Sequence, residues 1–142
     1  MAHQFPSEDW TTAYKDAVNA NEIYRTAGKD WTFGPVAMVV SKDESKGLPD
    51  DVGMILDVRD GTCHGTTYVQ GIDKVQDAPF IIVAPYERWK KVIRGEMDPI
   101  KGMMQGQLKL TKGHLPTMLR FVESSRQLVV SATQVPTEFI DE

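Results

Sequence analysis

The sequence predicts an α+β fold: a five-stranded, mostly antiparallel sheet with helices covering one face, in the order α-β-β-β-β-α-α-β-α. Three observations predict it. Apolar residues recur at helical spacing near both ends of the chain. Four β-branched or Thr-rich runs with short links occupy residues 36–84. A fifth, cleanly alternating run at 107–111 stands between short helical stretches and the last helix.

The first helix is expected over residues 7–27. Ser7 can cap it, Glu8 and Asp9 suit the positive end of its dipole, and Gly28 can end it. Trp10, Ala13, Tyr14, Ala17, Val18 and Tyr24 fall near one face, interrupted by Asn21. Strands follow at 36–40 and 54–58, separated by a charged loop. Asp60-Gly61 is a hairpin signal leading into a Thr-rich strand at 62–70. A fourth strand at 80–84 is stopped by Pro85, and the four together suggest a largely antiparallel meander.

Helical character returns at 85–94, where Trp89, Val92 and Ile93 share a face and Gly95 closes the helix. Asp98-Pro99 is a cap followed by Pro at the first helical position, so a short helix should run from 99 to about 105. Gly106 ends it, and the fifth strand points Leu108 and Leu110 inward. The last helix runs from Pro116 to the region of Pro136. Its apolar positions are Met118, Leu119, Val122, Leu128, Val129 and Ala132.

With 142 residues, 41% of them hydrophobic and 25% charged, residues 1–142 are expected to form one domain. The net charge of −4 argues against a nucleic-acid partner. Charge is unevenly placed, with eight basic and three acidic residues over 86–120. That segment has a local attraction for anionic headgroups, and residues 86–112 are the expected place of any transient membrane-surface contact. One cysteine, Cys63, fits a reducing compartment. The N-terminus lacks the features of a secretory signal, no apolar run is long enough to span a bilayer, and the C-terminal residues are not a peroxisomal tripeptide. The expectation is a soluble, cytoplasmic protein.

Residues 95–113 hold four glycines and three methionines, but they are not a phosphate loop. Gly102 and Gly106 are followed by Gln107 and Leu108 where such a loop needs Lys and Ser or Thr, and the order is helix to strand. His3, His64 and His114 show no metal-ligand spacing, so no metal and no cofactor are expected. Cys63 and His64 are adjacent on a strand and point to opposite faces, which does not make a nucleophile–base pair. No residue is singled out as catalytic. Met97, Met103, Met104 and Met118 gather around the fifth strand, where adaptable thioethers suit either a cavity of variable contents or an ordinary core.

Two runs then carry a family resemblance: Ala84-Pro-Tyr-x-x-Trp-x-x-Val-Ile-x-Gly95 and Asp98-Pro-x-x-x-x-Met-x-Gly-x-Leu-Lys-Leu110. Together they resemble the sterol carrier protein type-two family, in its small free-standing form. The resemblance implies an apolar tunnel between sheet and helices that binds a fatty acid, acyl-CoA, sterol-like molecule or other lipid, for storage or transfer, without catalysis. It places Phe80, Trp89, Met103, Met104, Leu108, Leu110, Met118, Leu119 and Val122 along the tunnel wall. The alternative is a non-catalytic interaction or regulatory module, dimeric in one version, with a filled core and no usable cavity. Met104→Trp is expected to separate the two, by blocking uptake only where a tunnel exists.

Overall fold

A computed structural model describes residues 2–142. The chain enters through a short strand, β1 (His3–Phe5), and then α1 (Glu8–Ala20). The Ser7 hydroxyl accepts from the backbone N–H of Trp10 at 3.0 Å, which fixes the helix start as expected. The first helix does not run through to residue 27. Asn21 leaves helical geometry and starts a separate α2 (Glu22–Ala27). Its side-chain oxygen accepts from Tyr24 N–H at 3.0 Å, while its amide donates to Gln127 and Ser131 on the last helix. A capping residue with partners on a distant helix outweighs the propensity of its neighbours to continue.

The main sheet consists of β2 (Val36–Ser41), β3 (Val52–Arg59), β4 (Thr62–Gln70), β5 (Phe80–Pro85) and β6 (Lys109–Lys112), in the order β4-β3-β2-β5-β6. Three of its four pairings are antiparallel, but β5 lies parallel to β2, so the first four strands are not a meander. The link over residues 71–79 is the reason. It is too long for a hairpin, and its buried Val75 and Ala78 pack on the sheet face while the chain crosses to the free side of β2. That crossing lies close against the strands. A side-chain carbon at Gly53 in β3 would sit 2.5 Å from Val75, so only glycine fits there. The β3–β4 turn carries positive φ at both Asp60 and Gly61, the geometry that the Asp-Gly pair signals.

Helices α3 (Tyr86–Ile93), α4 (Pro99–Met104), α5 (Leu115–Arg120) and α6 (Val122–Thr133) follow, and β7 (Thr137–Phe139) pairs in parallel with β1. Asp98 caps α4, accepting from Ile100 N–H at 2.9 Å and Lys101 N–H at 3.2 Å. Gly95, Gly106 and Gly113 all have positive φ at the turns around it. The last helix is broken at Phe121, which separates α5 from α6. β1 and β7 are too short for strand alternation to be read in the sequence.

One face of the sheet, with Val36, Val40, Met54, Leu56, Phe80 and Ile82, packs against the helices and forms the main core. The other face, with Ala37, Val39 and Ile81, is covered by Val75 and Ala78 of the crossing segment. After β7 the chain is fastened to α3. Tyr86 donates to Asp141 at 2.7 Å, Lys90 pairs with Asp141 at 3.0 Å and Glu142 at 2.5 Å, and Arg94 pairs with Glu142.

Candidate functional site

Between the helices and the main-core face of the sheet lies a cavity of about 60 Å³. Its floor is Val36 and Met38 of β2, Val58 of β3 and Ile82 of β5. Strand alternation puts Val36 and Met38 on the same face, and β5 in register places Ile82 beside Met38. The roof comes from all six helices. Tyr14, Tyr24, Trp89 and Val92 close it on the side of α1–α3. Met103, Met118, Leu128 and Val129 close it on the side of α4–α6, with Leu108 at the approach to β6. Among the described residues no charged side chain lines this cavity. Its volume accommodates a few waters, at ~10–15 Å³ each.

Six polar side chains interrupt the apolar wall. The Tyr14 hydroxyl donates to Leu128 O at 2.9 Å, and the Trp89 indole N–H donates to Val39 O at 2.8 Å. The Trp31 indole N–H donates to Gly34 O at 2.9 Å, and the Ser124 hydroxyl to Phe121 O at 2.9 Å. The remaining two are Tyr24 and Ser125. Burial, and then the neighbouring Cys63, push the Tyr24 phenol well above its ordinary range. Burial does the same for Tyr14, assisted by Tyr24 and Cys63. The Cys63 thiol is also raised, chiefly by burial, so no phenolate or thiolate nucleophile is poised here. Among the described residues no cluster of His, Cys, Asp or Glu has metal-binding geometry.

Of the residues expected along the wall, Trp89, Met103, Leu108 and Met118 border this cavity. Phe80 does not. It packs against Trp31 in a tilted arrangement, ring centres 5.0 Å apart. Leu110 and Val122 are half-buried against the same core but outside the wall. Met104 is 64% exposed and Leu119 40% exposed, and neither borders the cavity. The reason is helical geometry: neighbours on a helix point about 100° apart, so Met103 and Met118 turning inward send Met104 and Leu119 out. The Met104→Trp test therefore belongs at Met103.

Several wall residues were not anticipated in this role. Tyr14, Tyr24, Leu128 and Val129 carried a signal, since each lies on the apolar face of a predicted helix. Met38 lies in an unbroken apolar strand run, 36–40, in which nothing marks the face it takes. Ser124 and Ser125 carried no signal. Much of the basic segment has structural partners: Lys90 and Arg94 hold residues 141–142, Arg88 donates to Gln107 O at 2.9 Å, and Lys112 to Gln76 O at 2.6 Å. Lys91, Lys101 and Lys109 remain exposed. No helix among the described residues is long and apolar enough to cross a membrane.

No protein-family model matches the chain, and no curated protein does. Solved structures do. A crystal structure of sterol carrier protein 2 matches with a TM-score of 0.85 and 32% identity, over 91% of this chain and 97% of that one. A solution structure of a conserved hypothetical protein from Thermus thermophilus, suggested to be a sterol carrier protein, matches with a TM-score of 0.85 and 32% identity, over 93% and 90%. Sterol carrier protein 2 from Yarrowia lipolytica, in its apo form, shares the fold at a TM-score of 0.55 and 14% identity, over 92% and 94%.

Proposed function

Because the chain belongs to the sterol carrier protein 2 family, we propose that it is a non-catalytic, single-domain carrier that binds a lipid in the cavity between its sheet and its helices. The observation that carries this reading is a wall built from both layers with no charged side chain among the described residues. Each methylene moved from water into such a wall contributes about 0.8 kcal/mol, so a chain of modest length is held without any ionic contact. The cavity as it stands is too small for a long acyl chain, and ligand entry requires the walls to spread. Met38, Met103 and Met118 are the unbranched side chains able to re-pack around contents of different shape. Transfer, as opposed to storage, would add contact with a bilayer, for which Lys91, Lys101 and Lys109 supply exposed cations in the 86–112 segment.

A fluorescent fatty-acid analogue should be shielded from water by the protein and released by unlabelled lipid. Absence of displaceable binding across acyl, acyl-CoA and sterol probes would overturn the proposal. The small cavity favours a second reading, an interaction or regulatory module with a filled core. In that case the protein as purified shows a bare mass under native conditions and binds none of these probes.

A further inference from the structure

The two hydroxyls of the cavity wall without a protein partner define what the cavity asks of its contents. Tyr24 on α2 is 1% exposed and Ser125 on α6 is 8% exposed, and both line the cavity. Among the described residues neither hydroxyl donates to or accepts from another protein group, whereas the hydroxyls of Tyr14 and Ser124 and the indoles of Trp31 and Trp89 are all committed to backbone carbonyls. No fully enclosed side-chain oxygen or nitrogen lacks a partner among the described residues, so these two hydroxyls touch open space. Both residues line the cavity and are almost inaccessible from outside, so the cavity is the space assigned to them. Leaving a hydroxyl unbonded in an apolar site is costly. Water can serve the pair in the free protein, but a ligand that displaces water must bring an oxygen of its own.

We infer that Tyr24 and Ser125 form a hydrogen-bonding subsite that selects a lipid bearing one uncharged oxygen, an alcohol or an ester or ketone carbonyl, over an ionised fatty acid of the same length. The inference rests on the cavity being the ligand site. A ligand hydroxyl can donate to or accept from either group, and a carbonyl can accept from either. Both protein groups are neutral donors at physiological pH, and burial raises the Tyr24 phenol further above its ordinary range. A carboxylate could accept the same bonds, but among the described residues no charged side chain lines the cavity to compensate its charge. An ionised head is therefore excluded from the subsite.

The test measures dissociation constants of the full chain for four eight-carbon probes at pH 8: 1-octanol, methyl octanoate, octanoate and the oxygen-free 1-chlorooctane. Octanol and methyl octanoate should bind at least about tenfold more tightly than octanoate. Tyr24→Phe and Ser125→Ala should each weaken octanol by about threefold to tenfold while leaving chlorooctane within about twofold. Because its hydroxyl has no protein partner, Tyr24→Phe should not lower the melting temperature of the free protein, which separates a ligand role from a structural one. Octanoate binding as tightly as octanol would overturn the inference. So would unchanged octanol affinity in both variants, and in either case chlorooctane binding would leave the cavity reading intact. Failure of all four probes, chlorooctane included, would overturn the subsite and the cavity reading together.

Discussion

Met103 and Met104 are neighbours in sequence with opposite surroundings, one in the cavity wall and the other 64% exposed. Substitution by Trp should separate them. Met103→Trp fills the cavity, abolishes probe binding and changes stability by about 1–3 kcal/mol or less, depending on how well the vacant space takes the ring. Met104→Trp leaves both binding and melting temperature close to wild type. Equal loss of binding in the two variants would place the ligand elsewhere. Tyr14 gives a second comparison. Its buried hydroxyl donates to Leu128 O, tying α1 to α6 across the cavity. Tyr14→Phe should lower unfolding free energy by about 1 kcal/mol in a denaturant titration, in contrast to the neutral effect expected for Tyr24→Phe. The sequence could place Met103 and Met104 together on a short helix, but not decide which faced inward. A helix of about one and a half turns has too few residues for its apolar face to be read, and only packing against Leu108 and α6 settles it.

At the level of elements, capping residues and glycines were the most legible features, because a local backbone requirement dictates each. Ser7, Asp98 and Gly61 act as their residue types predict. What was not legible depended on distant partners. Asn21 breaks the first helix because α6 supplies acceptors for its amide. β5 joins β2 in parallel because Val75 and Ala78 find a sheet face to bury against. The fastening of residues 139–142 onto α3 is of the same kind and has a pH signature. Hydrogen bonds from Tyr86 and then Lys90 hold the Asp141 carboxyl below its ordinary value of 3.8. Lys90, and to a lesser extent Arg94, hold Glu142 below 4.5. Groups with depressed folded values contribute stability that is fully present above pH 4.5 and lost as pH falls through those lower values. The melting temperature should therefore fall below about pH 4.5, and Lys90→Gln should flatten that fall. Parallel profiles for the two proteins would show the contact to be inert.

For the whole molecule, the layered fold and the family were legible from the order of helices and strands and from the runs around Trp89 and Leu108. The cavity was only partly so. Its floor lies on strands that the sequence marks, although only the run holding Val58 alternates, whereas its roof is assembled from six helices whose mutual placement no local pattern encodes. Ser124 and Ser125 were the least legible of its residues, since an unpartnered or locally bonded hydroxyl has no sequence signature. The methionines allow the central claim to be read residue by residue. Met38, Met103 and Met118 border the cavity, and Met104 faces solvent. With methionine methyl groups labelled with carbon-13, the most direct measurement is the NMR shift of each methyl on addition of 1-octanol or 1-chlorooctane. Lipid binding between sheet and helices predicts that the Met38, Met103 and Met118 methyls move together in a saturable way while Met104 stays in place. Movement of Met104 alone, or of no methyl at saturating probe, would contradict it.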